Sequence, residues 1–152
     1  MTDEPYTYRN LVLWQKAQEL TLGIVRLIAG LPNDRVAPTL ARQILRSASS
    51  IGANIAEGHG RYALAAHRNH LSIAKGSACE TDDWLDLLRR AGYLPPSDEE
   101  RMHTACQEII RMLTAKILNL ERQEAARGKR IREEQAPYGE AEGLLDRPGS
   151  GF

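Results

Sequence analysis

Apolar residues recur along this chain at three- and four-residue steps, in four blocks separated by glycine and proline. Leu11, Trp14, Ala17, Ile24, Leu27 and Leu31 mark the first block, with Asn10 as its expected N-cap and Gly30 and Pro32 closing it. A second helix is predicted from Pro38 to Glu57, carrying Leu40, Ile44, Ala48, Ile51 and Ile55 on one face, with Gly58 and Gly60 as its stop. The third is predicted from Tyr62 to Ala91. Its stripe is Leu71, Ala74, Ala78, Thr81, Leu85 and Leu88, with Ile73, Trp84 and Leu87 beside it, and Gly92 and Pro95-Pro96 end it. The fourth opens at the expected capping box Ser97-Asp98-Glu99-Glu100 and carries Met102, Ala105, Ile109, Met112, Leu113, Ile117 and Leu120, with Lys116 discordant. No segment reads as strand. Four amphipathic stripes joined by short connections predict an all-α fold, an antiparallel up-down-up-down four-helix bundle. Residues 1–8 read as an N-terminal extension, 9–126 as the bundle and 127–152 as a mobile tail, in which Ile131 and Leu144-Leu145 are candidate docking positions.

Charge changes this picture only locally. Lysine plus arginine balances aspartate plus glutamate at 20 each, which excludes a generally basic nucleic-acid binder. From Arg35 to Lys75, however, six bases face one acid, and from Glu80 to Glu100 seven acids face two bases. Arg42, Arg46, Arg61, Arg68 and Lys75 are therefore the candidate RNA-phosphate contacts, and the two blocks form a candidate complementary pair between copies of the chain. Cys79 and Cys106 fall among helical apolar positions and are expected to be buried thiols in a reducing, cytoplasmic setting. The start MTDEPYTYRN has no secretory pattern, and no apolar run approaches the roughly 20 residues that cross a bilayer.

The stretch Ser49 to Arg61, SSIGANIAEGHGR, spaces Asn54, Glu57 and Arg61 about one helical turn apart among small residues. With Glu80 they are expected to form a structural polar network, since a carboxylate near a helix contact needs a partner to offset desolvation. No nucleophile elbow, phosphate loop or nucleotide fingerprint is present, so no catalytic residue is assigned. His67 and His70, and His103 and Cys106, repeat an i, i+3 spacing, and packing about the Gly92 to Pro96 turn sets Cys79 near the height of Cys106. Only one Glu-x-x-His pair, Glu100 and His103, is present where a bundle metal site needs two plus further carboxylates, so no metal and no cofactor is expected. Gly76 costs about 1 kcal/mol in mid-helix relative to alanine. It therefore points to close contact, and Ile73, Gly76, Ser77, Trp84 and Leu87 are the candidate surface for self-association.

Three segments, YRNLVLWQKAQEL at Tyr8 to Leu20, QILRSASSIGANIAEGHGR at Gln43 to Arg61 and LSIAKGSACE at Leu71 to Glu80, resemble the bacterial four-helix-bundle family of ribosomal RNA intervening-sequence proteins. That family includes the accessory variability proteins of diversity-generating retroelements. Trp14, Gln43, Arg46, Ile51, Asn54, Glu57, Gly58, Gly60, Arg61, Gly76, Ser77 and Glu80 fall on its motif positions. Gly52 stands where the family usually has proline, Leu45 replaces one of a pair of bases, and His67 and His70 stand where aromatics are usual. The resemblance implies a homopentameric ring without enzymatic activity, and a partner that is RNA or a reverse transcriptase. A protein-protein adaptor without RNA binding is the alternative, and a small bundle metalloprotein a remote one.

Overall fold

The computed structural model describes residues 7–135, and within them the chain is all-α. A 3-10 turn at Tyr8–Asn10 leads into α1 (Val12–Ala29), followed by α2 (Ala37–His59), α3 (Leu64–Arg90) and α4 (Pro96–Gln135), with no strand among the described residues. α1 packs on α2 and α4, α2 on α3, and α3 on α4, which closes a four-helix bundle. Rising positions on one helix meet falling positions on the next. Ser47, Ser50 and Asn54 of α2 bond Thr81, Ser77 and His70 of α3, while Asp82 and Arg68 of α3 meet His103 and Glu124 of α4.

The expected stripes form the core. Ile24, Ile44, Ile51, Ile55, Leu71, Leu85, Leu88, Ile109 and Leu113 are all buried to 1% exposure or less. Burying one such side chain is worth about 1.5–3 kcal/mol, so this spine accounts for the closure of the bundle. Lys116, the discordant position, is exposed.

Caps depart from expectation at the starts of α1 and α4, and α2 has one that was not expected. Asn10 lies inside the 3-10 turn, its N–H donating to the Thr7 carbonyl, so Leu11 stands at the helix boundary without a side-chain cap. α2 is capped from a distance: Asp34 Oδ1 accepts the Val36 and Ala37 N–H groups at 2.8 and 2.7 Å, while Asp34 Oδ2 accepts the Tyr93 hydroxyl at 2.7 Å. These bonds, the Ala37 N–H foremost, hold the Asp34 carboxyl below its ordinary range. Ser97 is not an N-cap, because α4 begins one residue earlier at Pro96 and the Pro95 carbonyl takes the Asp98 and Glu99 N–H groups. The α3 terminus behaves as expected. Gly92 takes a left-handed φ of 82°, and the Gly92 and Tyr93 N–H groups return to the Arg89 and Leu88 carbonyls in a Schellman closure.

α4 continues past the expected start of the tail at 127 and stays helical to Gln135. Exposed i, i+4 pairs Lys129–Glu133 and Arg130–Glu134 lie along this last stretch, where the apolar stripe has stopped but helix-favouring Arg, Lys and Glu remain. Ile131 is 42% exposed there, and Leu144-Leu145 lie outside the described residues.

Candidate functional site

The polar chemistry of the chain concentrates where α2 meets α3. Short side chains let the two helices approach. At Gly58 a Cβ would stand 3.0 Å from His70 Cβ, 3.1 Å from the His67 ring and 3.2 Å from the His67 carbonyl oxygen. Along this seam Ser77 Oγ donates to Ser50 Oγ at 2.9 Å, and Asn54 Nδ2 donates to the Ser50 carbonyl and hydroxyl at 2.9 and 3.1 Å. Asn54 Oδ1 lies 3.2 Å from His70 Nδ1, and His70 Nε2 lies 3.6 Å from Glu57, which is itself paired with Arg61. Six residues thus form one continuous polar chain from α3 to α2 and back. The Arg61 hydrogen bond first, then the charge of His70, holds the Glu57 carboxyl below its ordinary range.

Asn54, Glu57 and Arg61 are brought together as expected, but Glu80 is not among them. It sits nearer the middle of the seam, where its Oε1 accepts from Arg46 at 3.2 Å and from Trp84 Nε1 at 3.4 Å. Between the two groups, the fully buried Thr81 hydroxyl lies 2.8 Å from the Ser77 carbonyl and 2.9 Å from Ser47 Oγ, which donates to the Ile44 carbonyl. No buried side-chain polar atom among the described residues lacks a partner. Sequence reasoning missed Ser50 and the linking role of His70. The available signal was His70 standing seven residues before Ser77, hence on the same helix face.

The arginine candidates prove to be engaged. Arg46 pairs with Glu80, Arg61 with Glu57, and Arg68 with Glu121 and Glu124 of α4. Arg42 donates to Thr39, and neither Arg42 nor Lys75 makes an ion pair among the described residues. Much of the acidic block is paired as well: Asp86 holds Arg89 and Arg90, Glu99 reaches Arg89, Asp98 pairs with Arg101, and Asp82 accepts from Gln107 and lies 2.7 Å from His103 Nδ1. The two blocks are therefore partly neutralised within one chain, by local pairs such as Asp86–Arg89 and Arg61–Glu57 and by pairs across helices such as Arg46–Glu80 and Arg89–Glu99.

Of the self-association candidates, Ser77 belongs inside the protomer, buried to 8% by its bond to Ser50. Ile73 and Leu87 are 44% and 42% exposed, Trp84 is half-buried, and a Cβ on Gly76 would meet nothing within 4 Å. Cys79 is exposed, contrary to expectation, because it lies off the Ala74–Ala78–Thr81 face; Cys106 is buried, and burial pushes its thiol up to about 12. No group of three His, Cys, Asp or Glu residues that would hold a metal occurs among the described residues, nor is any described helix long and apolar enough to cross a membrane.

These features define an all-α bundle in which polar side chains join neighbouring helices to one another. Over residues 9–115 the sequence matches the 23S rRNA-intervening sequence protein family, and the chain belongs to that family. A solved structure similar to it is a protein of unknown function from the S23 ribosomal protein family of Bacteroides thetaiotaomicron. That protein is 37% identical, with a TM-score of 0.66 over 70% of this chain and 98% of the other. No curated protein matches the sequence.

Proposed function

We propose that the protein is a non-enzymatic scaffold, an antiparallel up-down-up-down bundle assembled as a homopentameric ring that associates with structured RNA or with an RNA-processing protein such as a reverse transcriptase. The observation that carries the assembly is Gly76. A mid-helix glycine with open space above it has no use inside the protomer, and exposed Ile73 and Leu87 share its helix. A neighbouring copy lying against that strip explains both. Light scattering tests this: the wild type gives the mass of a pentamer and Gly76→Leu a smaller species, whereas a monomer mass for the wild type refutes the ring.

The RNA reading rests on the family and on Arg42 and Lys75, the candidate bases without a carboxylate partner among the described residues. Retention of structured RNA that falls steeply with salt and weakens uniformly in Arg42→Ala and Lys75→Ala supports it. The engagement of Arg46, Arg61 and Arg68 in ion pairs favours the second reading, a protein-protein adaptor. No RNA retention at low salt leaves the adaptor.

A further inference from the structure

The α3 strip that carries the self-association reading holds a charge as well as apolar side chains. Gly76, Glu80, Asp83 and Leu87 recur at i, i+4, i+7 and i+11 and so share one face, with Ile73 beside them. Glu80 is held by Arg46, but the exposed Asp83 carboxylate has no hydrogen bond or ion pair among the described residues. A second exposed apolar cluster lies where α1 packs on α2. Thr21 Oγ1 stands 3.0 Å from the Ala48 carbonyl oxygen there, and within a turn of that contact Leu22, Val25 and Leu45 are 53%, 46% and 37% exposed. Arg42, one turn before Leu45, is exposed and makes no ion pair among the described residues. α1 and α3 sit diagonally across the bundle, out of contact, so one protomer offers two different apolar faces, one beside an unpaired acid and the other beside an unpaired base.

We propose that Leu22, Val25 and Leu45 receive the Ile73–Gly76–Leu87 strip of an adjacent copy, with Arg42 paired to the Asp83 of that copy. The contact rests on the self-association read from Gly76 and supplies its missing half, because a head-to-tail interface needs two unlike faces per protomer. The heights of the two faces agree. Thr81 of α3 meets Ser47 of α2 and Glu80 meets Arg46, which sets Leu45 at about the level of Asp83. The Thr21 to Ala48 contact brings Leu22 and Val25 of α1 to that level too. Copies standing side by side and related by a rotation along the bundle direction all share one height, so only faces level within a protomer meet between protomers. Apolar surface then covers apolar surface, and the two unpaired charges meet with opposite signs. Arg42 is committed to assembly in this arrangement.

Charge reversal in the full chain tests the pairing, with the mass followed by light scattering as the protein is diluted. Asp83→Arg and Arg42→Glu should each raise the concentration at which the assembly dissociates by about tenfold or more, since the like charges then meet at every interface. The double variant restores an opposite pair and should dissociate within about threefold of the wild type. Val25→Asp should weaken the assembly as well, whereas Val12→Asp, equally exposed on another side of α1, should not. All four side chains are exposed, so each variant keeps the helical circular dichroism of the wild type. An assembly indifferent to Val25→Asp and to both reversals, or a double variant no better than either single, overturns the proposal and leaves the Gly76 contact standing. A monomeric wild type removes both.

Discussion

Replacing Gly58 by alanine tests whether the α2–α3 seam is as close as its geometry indicates. The added Cβ would meet His70 Cβ at 3.0 Å, His67 Cδ2 at 3.1 Å and the His67 backbone oxygen at 3.2 Å. The imidazole can rotate away, but the other two atoms belong to the framework of α3, so the helices must part by a few tenths of an ångström. Overpacking of this kind costs about 1–3 kcal/mol. Gly to Ala returns at most about 1 kcal/mol of helix propensity, and less in the last turn of α2. The net prediction is a destabilisation of about 1–2 kcal/mol, or a fall in melting temperature of about 2–8 °C for a domain of this size. Gly23→Ala in α1 is the control, because its Cβ meets only Met102 Cε at an ordinary 3.5 Å. That change should stabilise by up to about 1 kcal/mol. Calorimetry at one protomer concentration measures both, and a Gly58→Ala protein that melts at or above the wild type refutes the close approach.

Three other predictions follow from the seam and the titrating groups. Because the folded pKa of His67 lies below its ordinary 6.5, the unfolded chain takes up the proton first, so stability present above about pH 6.5 declines as pH falls through the folded value. His67→Gln should remove that slope in urea titrations between about pH 7 and 5, leaving the later acid loss from Glu57 and Asp86, whose carboxyls are held low by Arg61 and Arg89; an unchanged slope contradicts the assignment. A thiol reagent at about pH 8 should modify Cys79 in the native protein and Cys106 only after unfolding, since a buried thiol near 12 is neither ionised nor reachable; prompt labelling of both would show Cys106 to be accessible. A double-mutant cycle on Ser47→Ala and Thr81→Val should show a coupling of about 0.5–1.5 kcal/mol, and additivity would mean that the hydroxyls do not act together.

The four helices were legible because apolar spacing answers to a single local rule, and Ile44, Ile51, Leu71, Leu85 and Ile109 obey it without exception. Asn54, Glu57 and Arg61 were legible for the same reason, being one turn apart on one helix. What escaped depends on which helix lies across from which. Glu80 could not be assigned to Arg46 rather than to Glu57 without the stagger of α3 on α2. The basic and acidic blocks read as opposing patches in the sequence because pairs across helices, such as Arg46–Glu80 and Arg89–Glu99, cannot be seen there. Cap positions failed at Asn10 and Ser97, where a 3-10 turn and a proline moved the helix start by one or two residues. Gln135 marks a further limit, since helix propensity alone carries α4 beyond its apolar stripe.

α1 is held differently from its companions. It touches α4 least of the neighbouring pairs, and between the two lies a groove of about 700 Å³ running past Leu20, Gly23, Met102 and Ala105, bridged by the Lys16–Glu108 ion pair. The α2–α3 and α3–α4 contacts join stretches adjacent in sequence, whereas docking α1 on α4 closes the longest loop in the domain and gains the least surface for it. The first helix is therefore the natural last piece to fold and the first to leave. Native-state hydrogen exchange should find its amides opening at a lower free energy than those of α2 and α3, and equal protection across all four helices would show a single cooperative unit instead.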